Sequence, residues 1–301
     1  MSEILDLKTV HDYNVFLGLE TQNPLVGFVD FSKVEVLHHR RKCFNFYGIF
    51  LKEKIHGPLV YGRSKYDYQE GTLVFVAPGQ VAGIDDDGTT RHPQGYALFF
   101  HPDLIRGTSL ARKMKEYTFF SYEVNEALHM SERERQTVFN CFGEIEEELQ
   151  HTIDKHSRNI IVSNIEVLLN HCLRFYDRQF TTRATLNTDV LSRFEALLGD
   201  YFDSEKPVKL GLPSVSWCAD QLHFSANYFG DLVKKQTGKS AIEYIHLAVI
   251  GKVKDRLLET DKTVSEIAYE VGFQYPHHLS RLFKKVAGCT PNEYRLRERI
   301  V

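Results

Sequence analysis

Between residues 20 and 122, short apolar runs alternate with turn-forming residues. The runs at 42–51, 71–76 and 95–100 have the length and the aromatic and branched composition of β-strands. Pro78-Gly79, which separates two of them, is a turn-forming pair. Many short strands at close spacing predict an all-β sandwich or barrel for this part of the chain.

The hydrophobic period changes at Ser131, where a capping-box sequence begins a helical segment. The apolar stripe of this helix consists of Val138, Phe142, Ile145, Leu149 and Ile153, and that of a second helix, predicted at 159–180, contains Ile161, Ile165, Leu168 and Cys172. Each stripe needs a partner surface, which is either the β region of its own chain or a second copy in an isologous contact. We predict a homodimer through one of these two helices, with Ile161, Ile165, Leu168 and Cys172 as the assigned contacts.

The last third of the chain contains an internal repeat. Leu232–Gly238 recurs as Leu282–Gly288 at an offset of 50, whereas Ala219 matches Ala268 at an offset of 49. One extra residue in the second copy accounts for the difference. The segment therefore holds two copies of one helical unit.

Each copy has a short helix, a tight turn and a second helix with a polar outer face. In the second copy Thr263 and Glu266 form a capping box, Gly272 ends the first helix, and a new helix begins near Pro276. A helix predicted at 241–259 joins the copies. This plan is a helix-turn-helix, whose second helix fits the major groove of B-DNA.

Charge and cysteine content narrow the choice of partner and compartment. The chain has 37 Lys+Arg and 40 Asp+Glu, but residues 204–301 hold 15 basic and 11 acidic residues. A basic module on an acidic body predicts a polyanion partner for one end only.

The five cysteines are scattered, which indicates a reducing compartment. Because neither a signal peptide nor an apolar run of ~18 residues is evident, we expect a cytoplasmic protein that does not bind a membrane.

The C-terminal module, about residues 210–297, resembles the AraC/XylS family of transcription regulators. The motif that carries the resemblance comprises Ser265-Glu266-Ile267-Ala268, Gly272-Phe273, Leu282-Phe283-Lys284-Lys285, Gly288 and Thr290-Pro291-Asn292-Glu293-Tyr294-Arg295. The linker helix departs from the family, since Ile250 and Lys254 stand where Arg and Ala are usual. The resemblance implies an all-α double helix-turn-helix domain at 187–301, a double-stranded DNA operator as partner, and RNA polymerase as a candidate partner.

Polar side chains on the outer faces of the second helices are the predicted DNA contacts. His277 and Arg281 lie one helical turn apart and are interpreted as base readers, while Asp231 either reads a cytosine amino group or pairs with a neighbouring Lys. The predicted base contacts are Asn227, Asp231, His277, Ser280 and Arg281. The predicted phosphate contacts are Ser225, Lys234, Lys235, Lys284, Lys285 and Arg295.

Residues 1–130 resemble, more weakly, the cupin-like sensor domain of the same family. Tyr66–Gly71, followed by Val76–Gln80, carries this resemblance. It implies an α+β chain of two domains, in which a cupin-like β-barrel binds a small-molecule effector and a helical segment at 131–186 dimerises and links. The predicted effector pocket contains Tyr47, Arg63, Phe75 and Phe99.

A metal site is not expected in this domain. Cupin enzymes bind metal through H-x-H on one strand and a later His after Pro-x-Gly, but His38 and His39 are adjacent, so a strand would point them to opposite faces. We therefore predict a DNA-binding transcription regulator without a cofactor or a catalytic residue. Two alternatives stay open: a cupin-type metalloenzyme fused to a DNA-binding module, and an effector-independent regulator with a vestigial sensor barrel.

Overall fold

The computed structural model describes residues 4–34, 37–38, 41–54, 59–61, 64–66, 71–83, 90–91, 94–122, 126–182 and 184–298. Contacts between residues divide the chain into two compact units, 1–182 and 183–301. The helical segment that follows Ser131 therefore belongs to the same unit as the strands. In the described part of the chain, no helix is both long and apolar enough to cross a bilayer.

The first unit contains strands, five α-helices and short 3-10 turns within its described residues. The strands are β1 (Leu5–Leu7), β2 (Val26–Asp30), β3 (Leu37–His38), β4 (Lys42–Phe44), β5 (Tyr47–Lys54), β6 (Leu59–Tyr61), β7 (Ser64–Tyr66), β8 (Thr72–Val76), β9 (Gln80–Gly83), β10 (Thr90–Arg91), β11 (Gln94–Phe100) and β12 (Leu128–His129). The helices are α1 (Val10–Leu17), α2 (Pro102–Ile105), α3 (Ser109–Lys113), α4 (Glu132–Gln150) and α5 (Ser157–Thr182).

The strands form two five-stranded sheets and a separate pair. One sheet has the order β1-β4-β9-β6-β7, the other has the order β12-β8-β5-β11-β2, and β10 pairs with β3. In the described residues these sheets do not close into a barrel, so the predicted cupin-like barrel is not confirmed. The mixed α and β composition of this unit agrees with the predicted fold class.

The strand predicted at 42–51 is two strands in different sheets. The break falls at Asn45, whose N–H donates to the Leu7 carbonyl at 3.0 Å and whose side-chain amide donates to Asp6 at 2.9 Å. These bonds hold a corner at which the chain leaves one sheet and enters the other. The continuous apolar run predicted the extended backbone but not the corner.

The sheet that contains β5 is buried on both faces. Phe50, Val74 and Phe99 point into a core shared with β1, β4 and α1. The alternate residues of the same strands face α4, α5 and the segment around Phe119, as the contacts Phe28–Phe142 at 5.5 Å and Phe75–Phe119 at 4.4 Å show. Helices on one side and a second sheet on the other thus enclose this sheet.

The residues assigned to a dimer interface lie inside the chain instead. Ile161, Ile165, Leu168 and Cys172 are each at most 2% exposed, and the first four stripe residues of α4 are buried as well. Ile153, the last residue predicted for the α4 stripe, lies beyond the end of this helix and is exposed. The amphipathic faces of α4 and α5 are satisfied by each other and by the sheet, which was the other alternative open for these stripes. These four residues cannot form a dimer contact unless the unit opens.

The second unit is all helical within its described residues. Its helices are α6 (Ala184–Phe202), α7 (Lys206–Leu210), α8 (Val215–Leu222), α9 (Ala226–Thr237), α10 (Ala241–Glu259), α11 (Val264–Glu270), α12 (Pro276–Ala287) and α13 (Pro291–Glu298). The capping box predicted at Thr263 is formed, and a second capping box is formed at Ser240. Hydrogen bonds from Ser240 and Thr263 lower the pKa of the capping carboxylates Glu243 and Glu266.

One close backbone contact fixes the second helix-turn-helix against α7. Gly272 has φ +97°, and a Cβ at this position would lie 2.7 Å from the Gly211 carbonyl carbon and 3.0 Å from the Pro207 oxygen. Glycine is needed there for its backbone conformation and for its size.

Gly272→Ala should lower the free energy of unfolding of the second unit by about 2–4 kcal/mol, because it adds a backbone clash to left-handed strain. Gly238→Ala is the matched control, since Gly238 has φ +71° and open space around the added Cβ. We expect the control to cost about 1 kcal/mol. Urea unfolding followed by the fluorescence of Trp217, the single tryptophan, reports on this unit. Equal losses for the two variants would contradict the close-contact interpretation.

Candidate nucleic-acid interface

The first candidate DNA-binding helix-turn-helix consists of α8, a tight turn and α9. His223 adopts a left-handed conformation with φ 64°, and the next residue, Phe224, donates its N–H to the Ala219 carbonyl at 2.9 Å. Ser225 then caps α9 by accepting the Tyr228 N–H at 3.2 Å. The burial of Phe229, Leu232 and Val233 directs the other face of α9 outward.

The second helix-turn-helix, formed by α11 and α12, repeats this geometry. Gly272 takes the left-handed position, and Phe273 donates its N–H to the Ala268 carbonyl at 2.8 Å. His223 and Gly272 are 49 residues apart, as are the two carbonyl acceptors, so the turns are equivalent at the predicted offset. After the turns the offset becomes 50, since Gly238 and Gly288 end α9 and α12 in the same left-handed conformation.

The outer face of α12 carries a row of exposed cationic and polar side chains. His277, Arg281, Lys284 and Lys285 are exposed, whereas Leu279 and Phe283 are fully buried. Ser280 is only half-buried, and its hydroxyl donates to the Pro276 carbonyl at 3.3 Å. Base reading by Ser280 would compete with that bond, while the other predicted contacts lie on the accessible face.

The outer face of α9 is less basic. Asn227, Lys234 and Lys235 are exposed, and Asp231 is half-buried between them. Gly230 lies in the middle of this face, and a Cβ added there would meet no atom within 4 Å, so the face is recessed at this position. An exposed face with Asn near its beginning and lysines at its end is typical of a helix that places its first turn against base edges and its last turn against phosphates.

Two exposed residues of the second unit were not among the predicted contacts. Tyr275 is 55% exposed, and its ring lies 5.6 Å from His277 and 5.5 Å from His278. His278 precedes Arg281 by three residues and therefore shares its side of α12. The helical spacing from Arg281 was the sequence signal that could have identified His278.

Arg295, a predicted phosphate contact, is engaged within its own unit. Its Nε donates to the Leu257 carbonyl at 2.9 Å and a terminal nitrogen donates to the Lys262 carbonyl at 2.6 Å. It thereby holds the end of α10 and the following loop against α13. A phosphate contact by Arg295 stays a prediction that would have to use its remaining N–H groups.

The residues predicted for an effector pocket do not share one site. Phe99 packs in the core between the sheets, with its ring 4.8 Å from that of Tyr13. Tyr47 and Phe75 lie on the opposite face of the same sheet, where both contact the ring of Phe120. Arg63 lies outside the described residues. Strand alternation separates these side chains, so the proposed pocket is not assembled from them.

Comparison with known proteins locates the similarity mainly in the second unit. Residues 218–297 match the family described as a helix-turn-helix domain. The transcriptional regulatory protein YesN of Bacillus subtilis is 34% identical over 114 residues, which are 36% of this chain and 29% of YesN. This chain thus spans less than a third of the length of that relative.

Two further similarities differ in extent. The transcriptional activator RhaS of Citrobacter koseri is 24% identical over 269 residues, which cover 86% of each chain. A solved structure, the C-terminal domain of the response regulator AraT from Geobacillus stearothermophilus, is 27% identical with a TM-score of 0.32 and covers 36% of this chain and 84% of that one.

Arg295→Met should lower the free energy of unfolding of the second unit by about 1–3 kcal/mol, because two carbonyls lose their donor while the aliphatic stem is kept. Arg297→Met is the control, since Arg297 is an exposed residue of the same helix. We expect it to change stability by less than about 0.5 kcal/mol. Urea unfolding of both variants measures the difference. A stable Arg295→Met protein with weakened binding to any DNA would show instead that Arg295 is mainly a phosphate contact.

Proposed function

Since the second unit of this chain belongs to the AraC/XylS family of helix-turn-helix domains, we propose that the protein is a sequence-specific DNA-binding regulator of transcription. The observation that carries the proposal is the equivalence of the two turns at His223 and Gly272. Each turn is followed by a helix of 12 residues that buries one side and exposes another with two lysines at its end.

The length of helix α10 supports simultaneous DNA binding by both helix-turn-helices. Its 19 residues extend about 28 Å at ~1.5 Å per residue. Successive major grooves on one face of B-DNA repeat about every 34 Å. A continuous helix of this length suits two recognition helices that enter adjacent grooves, with modest DNA bending.

The outer faces of α9 and α12 divide into two proposed roles. Asn227, Asp231, His277 and Arg281, joined by the newly identified His278, are proposed to face base edges. The lysine pairs at the ends of both helices and Ser225 at the start of α9 are proposed to contact phosphates. Charge favours tighter DNA binding by α12 than by α9, because the exposed face of α12 includes Arg281 as well as Lys284 and Lys285.

We also propose that the first unit binds a small-molecule effector. The protein is proposed to form a homodimer and to have RNA polymerase as a further partner. The 24% identity to RhaS over 86% of this chain supports a shared two-part plan.

A dimer contact has to use surfaces other than the buried stripes of α4 and α5. Ile160 and Val167, exposed one heptad apart on α5, are the proposed contacts. A monomer in sedimentation at micromolar concentration, with and without DNA, would contradict the dimer.

Selection of bound duplexes from a random DNA pool tests the proposed function. The full chain should enrich two short elements about ten base pairs apart. Recovery of sequences with no common element at moderate salt would contradict sequence-specific binding, because phosphate contacts alone enrich nothing.

Substitutions on α12 should separate base reading from phosphate binding. On the selected site, Arg281→Ala and His277→Ala should each cost about 1–3 kcal/mol and relax the preference at one position. Lys284→Ala should weaken binding to all sequences alike and reduce the salt slope by about 1. Gel shifts on the selected site and on a scrambled site, over a range of salt concentrations, measure both effects. If Arg281→Ala leaves affinity and preference intact, the assigned face is wrong.

A further inference from the structure

A cavity of about 300 Å³ lies along the outer edge of β2 in the first unit. All five residues of β2 line it, together with the segment that follows α1 and the C-terminal end of α4. Tyr47, Phe75 and Phe99, which were predicted for an effector pocket, do not line it. Because its volume is within the range of small-molecule sites, the cavity is a candidate for a ligand of modest size.

The backbone of β2 presents free hydrogen-bonding groups to this cavity. Within the described residues, β2 is the last strand of its sheet and pairs with β11 alone. The His101 N–H donates to the Leu25 carbonyl at 2.7 Å, one residue beyond the paired residues Phe100 and Val26. Since bonded and non-bonded pairs alternate in an antiparallel ladder, Val26 and Phe28 direct their N–H and C=O groups away from β11. No group in the described part of the chain hydrogen-bonds to them there.

A buried side-chain amide adds a further acceptor. Asn14, in the second half of α1, lines the cavity and is only 5% exposed. Its Nδ2 donates to the Thr21 Oγ1 at 3.2 Å, whereas its Oδ1 accepts no hydrogen bond within the described residues. A buried acceptor without a donor is unfavourable, and a donor on a bound molecule would remove that cost.

The charges around the cavity favour a positively charged ligand. Three carboxylates line it, those of Glu20, Asp30 and Glu146, together with the ammonium group of Lys33. Lys33 pairs with Asp30 at 3.7 Å. In the part of the chain that the structure describes, this leaves Glu20 and Glu146 without an ion-pair partner. A cation in the cavity would pair with these two carboxylates and donate hydrogen bonds to the free carbonyls of β2.

The same charges disfavour a second copy of the chain as the occupant. An unpaired strand edge can pair with an identical edge in an isologous contact. Such a contact would set the carboxylates beside β2 against the same carboxylates of the other copy, and like charges repel each other. A small cation would relieve this repulsion, whereas a second copy would add to it.

We propose that this cavity binds a small organic cation, an ammonium or guanidinium group on a short apolar chain, through Glu20, Glu146 and the free edge of β2. Leu19 and Leu149, which also line the cavity, would cover the apolar chain. This inference rests on the effector-binding role proposed for the first unit, and it adds the chemical class of the ligand.

A pair of fluorescent probes tests the site without knowledge of the natural ligand. Dansylcadaverine carries an ammonium group on a five-carbon chain, and N-acetyl dansylcadaverine is its neutral counterpart. In the full chain, Glu146→Gln should weaken the binding of the cationic probe by about tenfold or more, which corresponds to one charged hydrogen bond. The neutral probe should bind the wild type at least about tenfold more weakly than the cationic probe, and its affinity should change by less than about twofold in the variant.

Two further variants control this result. Glu147→Gln removes the same charge at the next position of α4, which is exposed and does not line the cavity, and it should leave the affinity for both probes unchanged. Glu20→Gln tests the second carboxylate and should weaken the cationic probe by about two- to fivefold, because Glu20 is exposed and its pairing is partly screened by water. Thermal unfolding of each variant shows that it is folded.

Competition identifies the cationic group. Butylamine and butylguanidine compare ammonium with guanidinium on one chain, and 1-butanol is the neutral control. Displacement of the cationic probe by either cation but not by 1-butanol supports the site, and the stronger competitor identifies the group.

Several results would overturn the proposal. These are the absence of dansylcadaverine binding to the wild type, equal affinity of the wild type and Glu146→Gln, and an equal loss in Glu147→Gln. A dimer in sedimentation that Glu146→Gln strengthens, without probe binding, would show that the edge pairs with a second copy instead. Stabilisation by another small molecule that Glu146→Gln does not alter would leave the effector role in place and show that this site is wrong. None of these measurements needs DNA, so they can fail while the selected operator still binds.

Discussion

The packing of α10 is the constraint on which the second unit depends. Ile245, Val249, Val253 and Leu257 recur every four residues and are completely buried, and Ile250 extends this surface to the neighbouring side. Five helices of the same unit, α6, α9, α11, α12 and α13, contact α10. Each buried side chain contributes about 1.5–3 kcal/mol. The same apolar surface that stabilises the unit therefore fixes the distance and rotation between the two candidate recognition helices.

The helical parts of this structure were largely predictable because their signals are local. Capping boxes at Ser131, Ser240 and Thr263 mark where helices begin, and the glycines at 238 and 288 mark where helices end. The internal repeat added long-range information, since equivalent turns at His223 and Gly272 had to follow from one plan. Whether a polar side chain turns inward is not a local property. Arg295 shows this, because its two carbonyl acceptors lie 33 and 38 residues away.

The β region was less predictable for a physical reason. The strands of a sheet with one solvent-exposed face show alternating polar and apolar residues. The strands β5, β8 and β11 are buried on both faces, and their sequences are therefore largely continuous apolar runs. The run at 42–51 therefore concealed the corner at Asn45, and the aromatic residues could not be assigned to a face.

A rigid α10 is proposed to hold the two helix-turn-helices in adjacent grooves of the operator, and a change of operator spacing tests this arrangement most directly. Five base pairs inserted between the two selected elements rotate the second to the opposite face, and ten base pairs restore the face but double the separation. Gel shifts of the full chain at fixed salt should show about a 100-fold loss of affinity for both insertions, because a helix of about 28 Å reaches neither position. Unchanged affinity for the five-base-pair insertion would show that one unit alone reads DNA. Recovery with ten base pairs would show that the units are flexibly joined, and either result would contradict the account.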